Sequence, residues 1–258
     1  MFTSAPTVLK HRACLVVLLI LCGSVFNSLY AQQATFSGKI TDDNTGLGIA
    51  NVAVVAQGNQ SGTRVVLSDS EGNYNLSVGS NTNIRLRAYK PGFFFNPAVV
   101  GFASIGGLPV TGSHALDFSG TGLPFPILIL LQAPILLTEE NSLNALAVDS
   151  VFHTRDPFPL FNEAYFGSDK RTRIKLLLVD LDLFPSSGET LSIINVQGRD
   201  ALQANHTFVV EDMRKTPGFP WMTQLTLLLP ADVTGPTELT VTVSARGLVS
   251  NAAKIRIK

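Results

Sequence analysis

Cysteine is nearly missing from this 258-residue chain, and the two that occur, Cys14 and Cys22, both fall within its first two dozen residues. The remainder has no thiol for a disulfide, a thiolate metal site or a cysteine nucleophile, so its stability has to come from core burial. Tryptophan occurs once, as Trp221. His114, His153 and His206 have no spacing that suits the three or four ligands of a zinc site, and no metal or cofactor is expected. Neither sign of charge is in excess, with 19 basic and 19 acidic residues mixed along the chain. A basic stripe is lacking, and nucleic acid is not an expected partner. Also missing are a G-x-S-x-G elbow, an H-E-x-x-H pair, a Walker loop and a G-x-G-x-x-G in a βαβ setting, so the chain does not read as an enzyme.

What the sequence does have begins with a secretory pattern. Lys10, His11 and Arg12 precede the apolar "ACLVVLLILCGSVF", and "NSLYAQQ" follows with a small residue at the expected cut after Ala31. The apolar core is shorter than the roughly 20 residues of a spanning helix. Residues 1–31 are therefore read as a cleaved signal peptide, with no transmembrane segment after cleavage. Leu21 before Cys22 is not the small residue that normally precedes a lipid-modified cysteine. An exported protein is expected, placed outside the cell, at its surface or in the periplasm.

From residue 34 to 122 short alternating segments are separated by turn residues. "ATFSGKIT" alternates, "DDNTGLG" is a turn cluster, "IANVAVVAQ" reads as apolar on alternate positions, and "NIRLRAY" sets Ile84, Leu86 and Ala88 opposite Arg85 and Arg87. An antiparallel β-sandwich is the expected result. "SDSEGNYNLSV", residues 68–78, reads as a turn feeding a strand: Asp69 accepts from turn amides, Gly72 takes positive φ, and Tyr74 buries its ring. As a calcium loop it lacks the later bidentate acid, and as a catalytic carboxylate pair it lacks a group to shift a pKa. "KPGFFFNPA" places Phe93 and Phe95 on one face and Phe94 with Asn96 on the other. Phe94 then either packs against the neighbouring domain or stacks on a sugar ring.

Through "SGKITDDNTGLGIANVAVVAQ", "SDSEGNYNLSV" and "IRLRAYKPGFFFNPA" this half resembles the carboxypeptidase regulatory-like family, a transthyretin-like sandwich that overlaps carbohydrate-binding modules in fold. Asp69, Gly72, Tyr74, Lys90, Pro91, Gly92, Phe93, Phe95 and Pro97 match the family's turn and strand elements. The resemblance implies structural turns at Asp69, Gly72, Tyr74, Pro91 and Gly92, and it brings no catalytic zinc domain.

Residues 123–137 read as a proline-broken linker running into a first buried strand, since three prolines interrupt "TGLPFPILILLQAPILL". Residues 138–258 read as a second, immunoglobulin-like antiparallel sandwich, giving an all-β chain of two sandwich domains. "LAVDSVFHTRDPF", "DKRTRIKLLLVDLDL", "PGFPWMTQLTLLLP" and "LTVTVSARGLVSNAAKIRI" resemble a C-terminal module of exported acidobacterial proteins, which brings no known site. Near His153, an Arg155–Asp156 pair ordering the loop is the expected reading. Arg171 and Arg173 are read as outward residues on a strand edge, where they discourage edge pairing; the other reading is a contact with an anionic polymer. Trp221 is either core or a sugar platform.

These readings imply a non-enzymatic, exported interaction or scaffolding protein. The alternative is a carbohydrate-binding protein whose binding residues are Tyr89, Phe94 and Trp221. The partners implied are a polysaccharide or a cell-envelope protein.

Overall fold

β-Strands and turns, with one 3-10 turn at Leu191–Ile193, account for the regular structure of the described residues. In this computed structural model those residues are 33–104, 106–122, 132–165, 167–184 and 188–258. The expected signal peptide and the 123–131 part of the expected linker lie outside them.

The first half builds two facing sheets. β1 (Ala34–Asp42), β4 (Asn73–Val78), β6 (Phe93–Asn96), β8 (Gly112–Ala115) and β9 (Phe118–Gly122) form one, in the order β4-β1-β9-β6 with β8 also on β1. β2 (Ala53–Gly58), β3 (Gly62–Leu67), β5 (Asn83–Tyr89) and β7 (Val100–Ala103) form the other, in the order β3-β2-β5-β7. Strict alternation in β4 buries Tyr74, Leu76 and Val78 and exposes Asn73, Asn75 and Ser77. These side chains meet Phe36, Ile40, Val54, Ile84, Leu86, Phe95 and Phe118 in a core between the sheets. One feature departs from the antiparallel expectation. β1 pairs in parallel with β8 along Ala34–Ser37 and with β9 along Ile40–Asp42, because the chain returns to it after crossing the second sheet.

The second half is one curled sheet. It comprises β10 (Ile135–Leu136), β11 (Ala147–Asp149), β12 (Arg173–Val179), β13 (Ile194–Arg199), β14 (Asn205–Thr216), β15 (Phe219–Leu228), β16 (Thr237–Ala245), β17 (Leu248–Val249) and β18 (Ala253–Ile257). Its order is β10-β12-β15-β14-β13-β16-β17, with β11 on β12 and β18 on β16. β14 turns the corner: its first residues pair with β13, the rest pair with β15, and the register shifts between Val210 and Asp212. Such an irregularity bends a strand from one layer to the next. The two layers enclose Phe158, Ile174, Leu176, Leu178, Leu225, Val241 and Ile255. Among the described residues no helix is long and apolar enough to cross a membrane.

A third apolar cluster joins the halves. Ala53, Val55 and Tyr89, on the face of β2 and β5 turned away from the first core, pack with Ile135, Leu137 and Val179. Residues 33–258 are thus one compact unit.

At the far end of the β2–β3 hairpin a buried amide organises the turn. Asn81 is 0% exposed; its Oδ1 accepts from the Gln60 and Ser61 amides at 2.7 and 2.9 Å. Its Nδ2 donates to Ser61 Oγ at 2.6 Å and to the Gly79 carbonyl at 2.8 Å. Removing this side chain strands the buried Ser61 amide, worth roughly 1–3 kcal/mol when unpaired, and frees the partly buried Gln60 amide. Asn81→Ala is expected to lower unfolding free energy by roughly 2–4 kcal/mol in urea denaturation; an unchanged midpoint would contradict this account of the turn.

Candidate functional site

The described residues concentrate buried charge where the outer face of β5 meets the second half. Cross-strand register places Arg85 beside Gln57, Arg87 beside Val55 and Tyr89 beside Ala53, so these six side chains share one sheet face. Arg87 is only 6% exposed and Tyr89 8%, and each has found a polar partner across the seam. Tyr89 Oη donates to Asp182 Oδ2. Asp182 Oδ1 also takes Lys215 Nζ at 2.5 Å. That ammonium donates to Thr223 Oγ1 at 3.0 Å, and Thr223 donates on to the Leu181 carbonyl at 2.9 Å. Arg87 Nη2 donates to the Ala133 carbonyl at 2.8 Å, and Nη1 lies 3.4 Å from Asp180 Oδ2.

A second guanidinium closes this polar region from the other side. Arg246 pairs with Glu189, donates to the Asp182 carbonyl at 2.5 Å and lies over the Phe184 ring at 4.8 Å. Asn251 ties β10 to the link between β17 and β18, at the opposite end of the same curled sheet: its Oδ1 accepts from the Leu136 amide at 2.9 Å and its Nδ2 donates to the Leu136 carbonyl at 3.0 Å. Thr63 and Thr138 exchange the same kind of bond across the seam, Thr63 N to Thr138 Oγ1 at 2.8 Å and Thr138 N to Thr63 Oγ1 at 2.7 Å. Chemically the arrangement holds two surfaces in register.

Burial moves the titrations here. It pushes the Tyr89 hydroxyl well above its ordinary range, and the neighbouring Asp182 carboxylate adds to the rise. Burial likewise raises the Asp180 carboxyl to about 6, against the pull of the Arg87 guanidinium, with Asp182 adding to the increase.

The aromatic candidates are dispersed. Tyr89 has its ring inside the seam, with Lys215 Nζ 5.7 Å from the ring centroid. Trp221 packs half-buried on the same cluster, and its Nε1 is buried without a hydrogen-bond partner. Phe219, two residues before it, stands 46% exposed with its ring edge-on at 6.1 Å from the indole. Phe94 is half-buried on β6, on the face opposite Phe93 and Phe95. The structure brings Tyr89 and Trp221 to one cluster and leaves Phe94 outside it.

The turn residues work locally. Asp69 Oδ1 accepts from the amides of Glu71 at 2.9 Å and Asn73 at 2.8 Å. These amides, Asn73 foremost, hold the Asp69 carboxyl below its usual range. Gly72 has φ +84°, and a Cβ there would stand 2.3 Å from the Ile40 carbonyl oxygen. Tyr74 Oη donates to the Leu116 carbonyl at 2.6 Å. Lys90, Pro91, Gly92 and Phe93 form a turn closed by Phe93 N to Lys90 O at 3.1 Å, with Gly92 at φ +79°, the geometry of type II.

Two expectations for the second half need correction. Asp156 is paired with Arg256, through Nε and Nη2 both at 3.1 Å, and Arg155 lies near Glu139 at 3.4 Å. The neighbour in sequence loses to an arginine that β18 delivers in register. Nor does Arg173, the first residue of β12, sit on a strand edge, and Arg171 lies before that strand begins. β12 is flanked by β15 on one side and by β10 and β11 on the other. Arg171 instead binds Asp169 at 2.6 Å, and Arg173 binds Glu211 at 2.8 Å. His206 bridges Asp232 at 3.0 Å and Asp200 at 3.4 Å. Among the described residues no group of three or more His, Cys, Asp or Glu is placed to hold a metal ion.

Sequence reading missed Arg87, Asp180, Asp182 and Lys215 as a set. One signal was present: Val52 to Ala56 is an unbroken apolar run, the mark of a strand covered on both faces.

No family model matches the chain, and no curated protein matches it. Among solved structures, the catechol 1,2-dioxygenase of Acinetobacter radioresistens is similar at 12% identity and TM-score 0.29, over 39% of this chain and 55% of that one. The chain therefore spans little more than half of that enzyme's length. BcpA, the major pilin subunit of Bacillus cereus, is similar at 7% identity and TM-score 0.28, over 88% of this chain and 69% of that one. SpaD, the full-length major pilin of Corynebacterium diphtheriae, follows at 8% identity and TM-score 0.26, over 88% and 64%. Likenesses at this level carry no function across.

Asp180 yields a pH test. Its folded-state value near 6 lies above its ordinary 3.8, so protonation favours the folded state. Its contribution is complete below about pH 3.8 and is lost as pH rises through about 6. Asp180 has φ +60°, which asparagine tolerates. Urea midpoints of Asp180→Asn are therefore expected to fall less than those of the parent between about pH 4 and pH 6.5. Parallel profiles would contradict the burial assigned to this carboxyl.

Proposed function

We propose that this chain is a non-enzymatic interaction or scaffolding module that works after export, at the cell surface or outside the cell. One observation carries the reading. Two buried polar links of the described residues, Tyr89–Asp182 and Arg87–Asp180, run from one sandwich to the other, and Lys215 holds Asp182 in place for the first. Charged side chains held this way resist shear between the halves and leave little freedom for chemistry. A load-bearing or adhesive surface needs that rigidity. The secretory pattern of residues 1–31 and the exported-protein resemblance of the second half support the same placement. So does the resemblance of the first half to a regulatory-like accessory domain.

A second reading, polysaccharide binding, is favoured by the exposed Phe219 ring beside the half-buried Trp221. An exposed aromatic face next to an indole suits stacking on a sugar ring.

Cosedimentation separates these readings. The purified chain is expected to pellet saturably with envelope material or to self-associate in analytical ultracentrifugation. A monomer that stays in the supernatant with every envelope fraction would overturn the scaffolding proposal. A saturable change in Trp221 emission with neutral polysaccharide, lost in Trp221→Phe, would move the weight to the second reading.

A further inference from the structure

The outermost strand of a sheet turns a row of N–H and C=O groups outward, and proteins guard such edges with proline, charge, brevity or a covering segment. Among the described residues most edges are guarded. β3 lies against Thr138 and Ser142 of the second half and carries Arg64, paired with Glu140. β6, β7 and β8 have four residues each, and β6 runs directly into Pro97. β10, β11 and β17 have two or three, and β18 is bridged by Asn144 and Phe158. β4 has none of these devices. Its six residues, "NYNLSV", hold no charge, proline or glycine, and they pair with β1 in unbroken register from Lys39 with Asn73 to Ala34 with Val78.

The direction of its free groups follows from its neighbours. The Ser37 carbonyl accepts from the Leu116 amide at 2.9 Å, away from β4, and the Ile40 amide donates to the Gly72 carbonyl at 2.8 Å. By antiparallel alternation Tyr74, Leu76 and Val78 then bond to β1, while Asn73, Asn75 and Ser77 aim their backbone groups outward. The turn satisfies Asn73: its N–H donates to Asp69 Oδ1 at 2.8 Å, and its carbonyl accepts from the Asp69 amide at 3.0 Å. The outward backbone groups of Asn75 and Ser77 meet no partner among the described residues.

A second copy of this chain fits that edge. The added strand must set outward groups opposite both Asn75 and Ser77, and β4 itself does so about a two-fold axis at Leu76. Asn75 then faces Ser77 of the second copy, each such pair exchanges both N–H···O bonds, and symmetry supplies the pair twice. On the outer surface the Asn75 amide meets the Ser77 hydroxyl; on the inner one Leu76 meets Leu76, and Tyr74 meets Val78. No like charges stand opposite each other. An axis at Asn75 would call instead on Asn73, whose groups the Asp69 turn already holds. We infer that the chain forms a two-fold dimer through β4, which joins two β4-β1-β9-β6 sheets into one. Each copy thereby uses the edge left unguarded, so the assembly closes as a dimer rather than running on as a fibre. The inference rests on the scaffolding proposal and names a second copy as a partner.

A ladder this short makes a weak contact, so the test is sedimentation velocity of the purified chain from about 5 µM to about 500 µM. A concentration-dependent dimer is expected. Asn75→Pro removes an outward N–H at an edge position, where proline costs no ladder bond, and is expected to leave a monomer with unchanged far-UV circular dichroism. Charge reads the register. Asn75→Lys with Ser77→Lys sets like charges opposite and is expected to weaken dimerisation at least about tenfold, whereas Asn75→Asp with Ser77→Lys sets opposite charges and is expected to preserve or tighten it. Where Asn75→Pro fails to fold, the charge pairs decide alone. Three results would overturn the inference: a parent that stays monomeric throughout, a dimer indifferent to a folded Asn75→Pro, or two charge pairs that behave alike. A monomeric parent that still pellets with envelope material removes the dimer and leaves the scaffolding proposal standing.

Discussion

Covering the second face of the β3-β2-β5-β7 sheet is the constraint on which the rest of the structure depends. A sandwich normally leaves its outer faces to water, with polar residues alternating against apolar ones. Here Val54 and Ala56 face the first core while Ala53 and Val55 face the second half, and all four are fully buried. The arginine and tyrosine on the outer row of β5 are then removed from water with their strand. Each must be answered by a partner, since a buried hydroxyl left unpaired costs roughly 1–3 kcal/mol and an unanswered buried charge on the order of 3–5 when a pair is broken. Asp180 and Asp182, immediately after β12, provide those answers.

Polar seams of this kind add little net stability over an apolar one, because desolvation offsets much of the Coulomb attraction. What they add is direction. An apolar surface made of Ala53, Val55, Ile135 and Val179 would tolerate sliding by a residue or two. The Tyr89 hydroxyl donates to one particular oxygen, Asp182 Oδ2, and the paired Thr63–Thr138 bonds fix the same register at the other end. The halves are thus held at several points of different chemistry, and the rigidity needed by the proposed scaffold follows from that.

Much of the local structure was legible in the sequence, because local rules govern it. The alternation of "NYNLSV" places Tyr74, Leu76 and Val78 inward, and Pro91 and Gly92 carry the backbone preferences that a type II turn needs. Long-range pairing was not legible. Tyr89 and Asp182 are 93 residues apart, and Asp156 reaches Arg256 across 100. No local pattern distinguishes such a partner from the nearer Arg155. Arg87 was the most deceptive residue: an arginine alternating with apolar neighbours reads as solvent-facing, and only the unbroken run in β2 indicates that the outer face is covered as well. The parallel pairing of β1 with β8 and β9 was hidden for a related reason, since strand direction depends on the route of the intervening chain.

Urea unfolding followed by Trp221 emission and far-UV circular dichroism together tests the central claim most directly. The single tryptophan lies against the seam cluster, so its emission reports on separation of the halves while the far-UV signal reports on strands in both. Coincident transitions, shifted together to lower urea by Tyr89→Phe, are the predicted result. A red shift of Trp221 that precedes the loss of far-UV signal, unaffected by Tyr89→Phe, would show two halves that come apart before either unfolds, and would contradict the account.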